Sequence, residues 1–166
     1  MQDNDGAEFG DSARANQNYE LLVSQIRQQG GPHYEWADIP PEVGADGGQP
    51  GGNIRNGFLF NPTRMLLVPG TLRRIAEDHR AFEGSRKALV GRFRLLNGGQ
   101  EIVVINVHLA SKRHQNSIFS ETNPGYDSRL DTRVEQAEII RKTLTTLHAE
   151  GVAYYVTGDF NDFEFS

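Results

Sequence analysis

The stretch Glu101-Ile-Val-Val-Ile-Asn-Val-His-Leu109 decides how this chain folds. Successive residues of a β-strand face opposite sides of the sheet. The odd positions Val103, Ile105, Val107 and Leu109 are all apolar, whereas the even positions Ile102, Val104, Asn106 and His108 turn polar toward the C-terminal end. One face of such a strand belongs in a core, and the other carries reactive groups at its tip. A second stretch repeats the pattern. Val152-Ala-Tyr-Tyr-Val156 reads as a buried strand and runs straight into Gly158-Asp159-Phe160-Asn161-Asp162. Two apolar strands with polar ends predict a site at the edge of a buried sheet.

Working outward, residues 88–96 predict an antiparallel partner for 101–109, joined at Asn97-Gly98-Gly99-Gln100. Leu130, Val134, Ala137, Ile140, Leu144 and Leu147 recur at helical spacing and predict a helix ending near Gly151. Near the start, Asp11 or Ser12 is placed to cap a helix that runs to Gln29. Tyr19, Leu22, Val23 and Ile26 form its apolar stripe, and Gly30-Gly31-Pro32 stops it. Further strands are expected over 33–39, 55–60 and 65–68, with loops over 40–53, 69–80 and 110–128. The first loop, rich in glycine and proline, is expected to be mobile. The last holds a turn at Asn123-Pro124-Gly125. Helix, strands, helix, strand describes a mixed α/β (α+β) protein whose helices cover sheets.

Composition narrows the function. A chain of 166 residues can build one domain with a core of its own. Apolar stretches are strand-sized, so no membrane span is expected, and the first residues are too polar for a signal peptide. There is no cysteine, which excludes disulfides and thiolate chemistry. The net charge of −5 is uneven. Residues 1–50 carry nine acidic and two basic side chains, whereas residues 64–94 carry eight basic and three acidic ones. That basic run is read either as solvated faces or as a surface for a phosphate-bearing substrate. The acidic whole argues against tight nonspecific binding to nucleic acid.

The candidate chemistry lies at the strand ends. Asp159 can ligate a hard cation or accept a proton from a nucleophilic water. Asn161 can orient a phosphate oxygen or that water, although an aspartate and an asparagine after a strand also suit a simple Asx turn. His108 can donate to a phosphoryl oxygen or exchange protons near neutrality. Asn106 lies on the same strand face. Arg86, just before an apolar strand, can hold a phosphate with its planar fork. His33, His79, His114 and His148 lack supporting neighbours and read as structural or surface residues, and Trp36 reads as core.

These residues resemble the endonuclease/exonuclease/phosphatase superfamily, the deoxyribonuclease-I-like fold. Ile105-Asn-Val-His108-Leu-Ala-Ser-Lys112 is similar to its histidine motif, and Gly158–Asp162 to its metal and nucleophile loop. Residues 51–62, 82–93 and the helix carrying Arg133 and Gln136 resemble the version in large bacterial extracellular nucleases. The resemblance implies a four-layer α/β/β/α sandwich and hydrolysis of phosphodiesters, with DNA or RNA as substrate. It implies Mg²⁺, or else Mn²⁺ or Ca²⁺, as cofactor, with Asp159 and Asn161 as its ligands. By the same resemblance His108, Asp159 and Asn161 are catalytic, and Arg86 and Asn106 contact the substrate phosphate.

The resemblance covers residues 1–166 as one incomplete domain. A metal-binding glutamate is expected upstream of Gln2 and an Asp-His pair downstream, so the chain is expected to be a fragment with little activity alone. The complete domain is expected to be monomeric, with no protein partner and an extracellular or periplasmic setting. Two other readings stand beside this one: a phosphomonoesterase or lipid phosphodiesterase of the same superfamily, and a degenerate, non-catalytic module.

Overall fold

The computed structural model of the protein describes residues 1–112, 119, 121 and 127–162. In chain order its elements are α1 (Asn16–Gln28), β1 (Glu35–Asp38), β2 (Gly57–Phe60), β3 (Met65–Leu67), β4 (Arg73–Arg74), a 3-10 turn (Arg80–Phe82), β5 (Leu89–Leu95), β6 (Glu101–His108), α2 (Leu130–Ala149) and β7 (Ala153–Asp159). The turn expected at Asn123-Pro124-Gly125 lies outside the described residues.

The β5–β6 hairpin forms as its alternation predicts, with Arg94 opposite Glu101 and Leu89 opposite Asn106. Its loop is closed by Leu95 N–H to Gln100 O at 2.8 Å, and Gly98 and Gly99 both take positive φ there. β3 and β4 pair with the outer edge of β5, and β7 pairs with β6 in parallel. β1 and β2 make a separate antiparallel ribbon. This ribbon faces the larger sheet through aromatic side chains. Phe93 on β5 meets Phe58 and Phe60 on β2 edge-on, at centroid distances of 5.3 and 5.4 Å. α1 backs the ribbon, with Tyr19 stacked on Trp36 at 5.7 Å. On the opposite face Val103, Ile105 and Val107 pack with Ile140 and Leu147 of α2. The layers run α1, ribbon, large sheet, α2, an α/β/β/α sandwich with a two-stranded second sheet.

Four expectations are corrected. α1 begins at Asn16, and neither Asp11 nor Ser12 caps it; Asn4, from the preceding loop, accepts the Gln17 N–H at 3.0 Å instead. Among the described residues β7 pairs on one side only and is not buried as expected, and Tyr155 on its outer face is 65% exposed. The ribbon covers β5 and β6 but stops short of β7. The loop 40–53 is pinned rather than loose: Asp46 pairs with Lys87 at 2.9 Å, both largely buried, and Asn53 Oδ1 accepts the Gly44 N–H at 2.8 Å. Finally, residues 69–80 contain a short strand, β4, inside the expected loop.

Candidate active site

Parallel strands joined by a helical crossover bring the two polar tips together. β6 and β7 pair with Asn106 opposite Thr157, Val107 opposite Gly158 and His108 opposite Asp159. In open α/β sheets, ligands bind at the carboxyl ends of such strands. The close pairing needs a glycine at 158. Its φ is +129°, and a Cβ there would lie 2.0 Å from the Val107 carbonyl oxygen.

His108 Nε2 stands 3.6 Å from Asp159 Oδ2. That is just beyond hydrogen-bond length, so the two groups face each other at near-contact distance on the cleft wall without a direct hydrogen bond. Burial pushes the His108 imidazole below its ordinary pKa, and the nearby Arg86 guanidinium pushes it the same way. Asp159 pulls in the opposite direction. The balance favours a neutral imidazole.

After Asp159 the chain turns sharply. Asn161 takes a φ of +52°, and its N–H donates to Asp159 Oδ1 at 2.8 Å. This is the Asx turn that the spacing allowed, and it fixes the aspartate's rotamer. Asn161 Nδ2 and Arg86 Nη2 both donate to the Leu109 carbonyl, each at 2.8 Å. Leu109 N–H in turn donates to the Asp159 carbonyl at 2.9 Å. One backbone carbonyl thus gathers side chains from the segments that carry Arg86, His108 and Asp159.

His108, Asp159 and Asn106 line a cleft of about 290 Å³ between the ribbon and the large sheet. Asn106 also ties the two sheets together, its Nδ2 donating to Gly57 O at 2.8 Å. Arg86 and Asn161 lie behind this wall. Arg86 is buried and reaches the cleft through its charge. Arg55 and Asn56, which the sequence reading did not single out, are buried and do line the cleft. Arg55 pairs with Asp38 at 3.5 Å. The available signal was two polar residues at the mouth of an apolar strand.

The basic run does not form an open cationic face. Arg74, Arg80 and Lys87 pair with Glu77, Glu135 and Asp46, and Arg92 and Arg94 share Glu101. Among the described residues no group of three His, Asp or Glu side chains is placed to hold a metal ion. The cleft does supply one carboxylate, Asp159. Mg²⁺ keeps several waters and takes one or two carboxylates together with substrate phosphates, so this donor set fits that minimal arrangement.

No family model matches the sequence, and no curated protein matches it. Solved structures do. The human Nocturnin catalytic domain, solved with a bound sulfate anion, is similar at 14% identity and a TM-score of 0.56, over 89% of this chain and 48% of that one. A humanized TDP2 from D. rerio is similar at 16% identity and a TM-score of 0.51, over 87% of this chain and 46% of that one. The chain therefore spans about half the length of these two structures. At such identities the likeness concerns the path of the backbone. The chain has the α/β/β/α fold of the endonuclease/exonuclease/phosphatase superfamily.

Proposed function

We propose that this chain carries the catalytic cleft of a divalent-metal-dependent hydrolase of phosphoester bonds, and that its substrate is a phosphodiester of DNA or RNA. The observation that supports this most is the meeting of His108 and Asp159 at the carboxyl ends of two parallel strands, on the wall of one cleft. In this reading the neutral His108 imidazole donates to a phosphoryl oxygen. Asp159 accepts the proton of a water whose oxygen attacks phosphorus. The ester P–O bond opposite breaks, and the leaving oxygen takes a proton from solvent. The Asn161 turn holds the Asp159 carboxylate in place throughout. A bound Mg²⁺, held by Asp159 on the cleft wall, would polarise a phosphoryl oxygen; Asn161, the second ligand that the resemblance implies, lies behind the wall with its amide on the Leu109 carbonyl. An extracellular or periplasmic setting belongs to the same proposal and rests on family resemblance alone.

One observation favours a second reading. Five of the eight basic side chains in residues 64–94 are spent on acidic neighbours, so they do not form a track for a long polyanion. A small phosphate ester needs no such track. Plasmid DNA, RNA, a chromogenic phosphodiester and a chromogenic phosphomonoester, each with Mg²⁺ or Mn²⁺, separate the two. Turnover of the nucleic acids that is lost in Asp159→Ala supports the first reading. Turnover confined to the monoester supports the second. No turnover of any substrate, with no binding of inorganic phosphate, overturns both.

A further inference from the structure

Helix α2 turns polar side chains inward where its apolar spacing predicts Val134 and Ala137. Val134 is 53% exposed, whereas Arg133 is 3% and Gln136 0% exposed. A buried carboxamide is tolerated only when its hydrogen bonds are made, and a leucine would fill the same volume without that demand. Gln136 makes three. Its Oε1 accepts the Ala110 N–H at 2.9 Å, and its Nε2 donates to the Ala81 carbonyl at 2.7 Å and to Ser85 Oγ at 3.2 Å. Ser85 is itself fully buried and immediately precedes Arg86. Ala110 lies two residues beyond His108. Arg133, one turn earlier on the same face, donates from Nε to Asp162 at 3.2 Å and from Nη2 to Asp127. Asp162 belongs to the turn that carries Asp159 and Asn161, and Lys112 pairs with it as well.

One of these bonds ends on the short 3-10 turn at Ala81, and the others end on irregular segments that lead to or from Arg86, His108 and Asp159. Such segments have no ladder of their own to hold them, so a side chain from a rigid helix can set their positions. The geometry points to Gln136, seconded by Arg133, as a positioning residue: it holds the segments bearing Arg86 and His108 together, and Arg133 holds the Asp159 turn, so that all three meet at one site. The role rests on the phosphoester reading only in calling that cleft a site. Neither residue touches it.

The test uses the ¹⁵N-labelled chain and three substitutions. Gln136→Leu removes all three bonds while keeping the volume. Gln136→Glu keeps the acceptor and loses the bond donated to Ala81, and it serves if the leucine variant does not fold. Leu147→Ala damages the core on the same helix, three turns away, and controls for lost stability. Gln136→Leu is expected to shift the His108 ring and Asn161 side-chain amide resonances, and to weaken binding of inorganic phosphate roughly tenfold. Leu147→Ala is expected to lower the melting temperature at least as much and to leave those resonances in place. Unmoved resonances in the Gln136 variants, or equal movement in Leu147→Ala, overturn the assignment. A wild-type chain that does not bind phosphate counts against the phosphoester reading, and the resonances still decide the positioning role.

Discussion

His108 and Asp159 face each other at 3.6 Å because β6 and β7 run parallel with these two residues in register. Each is the last residue of its strand. The pair is therefore set by the sheet, and the sheet does not depend on the pair. Both side chains are partly exposed, 28% and 60%. Replacing either should leave the fold nearly intact and act on chemistry. His108→Ala and Asp159→Ala are expected to lower phosphoester turnover by roughly 10²–10⁴, the usual loss for one acid–base group. Asp159→Asn keeps an acceptor for the Asn161 N–H, so it should match the alanine variant in activity yet exceed it in melting temperature. Steady-state assays with thermal melts check both halves.

Stability should depend on His108 in a definite direction. Its pKa in the folded chain lies below the ordinary 6.5, through burial first and Arg86 second. The folded state then binds this proton less readily than the unfolded one. His108 contributes its stabilisation fully above pH 6.5, and the contribution is lost as pH falls through that value toward the folded one. Urea midpoints at pH 8, 6.5 and 5.5 should fall for the wild type, and by less for His108→Gln. Glu101, lowered by its hydrogen bonds to Arg94 and Arg92, titrates below this window and does not confuse the comparison.

Gly158, at the end of β7, should resist substitution more than its neighbours along the chain. A Cβ there meets the Val107 carbonyl at 2.0 Å, and the φ of +129° suits only glycine. Gly158→Ala must spread β6 from β7 or strain the backbone. The expected loss is about 2–4 kcal/mol, combining backbone strain with a damaged strand pair. Asn161, at +52°, sits in a region that asparagine tolerates, so Asn161→Gly should cost only its bond to Leu109, about 0.5–1.5 kcal/mol. Chemical denaturation of the two variants measures the contrast.

Aromatic packing between the sheets should dominate the core energetics. Phe93 is buried against Phe58 and Phe60, and Phe93→Ala is expected to cost about 3–5 kcal/mol. Tyr155, equally aromatic but on the uncovered face of β7, should cost within about 0.5 kcal/mol when replaced by alanine. Equal losses in the two melts would mean that the ribbon also covers β7.

Much of the fold was legible because its signals are local. The alternation of residues 101–109, the glycine turn at 97–100 and the helical spacing of 130–147 each report a backbone periodicity that side chains must obey. The candidate site was legible for a related reason. Asn106, His108 and Asp159 are polar residues at the ends of apolar strands, where packing does not call for them. Arg86 was read as a phosphate contact and Asn161 as a catalytic and metal-binding residue, whereas the structure places both behind the cleft wall; nothing in the sequence says that they converge on the Leu109 carbonyl. The turn at Asp159 and Asn161 proved to be an Asx turn, and its aspartate lines the candidate cleft.

The sequence by itself determined the elements, their order and which strand tips carry reactive groups, because each follows from neighbours within a few turns or strand repeats. Only the tertiary structure decided that β7 is not buried, which charges cancel, and which face of α2 points inward. Apolar spacing placed Val134 and Ala137 inside. Arg133 and Gln136 went there instead, because the surface beneath the first turns of α2 presents Ala81 O, Ala110 N–H and Asp162, groups that must be satisfied once buried. That demand comes from partners 55, 26 and 29 positions away along the chain, and it exists only after the chain has folded.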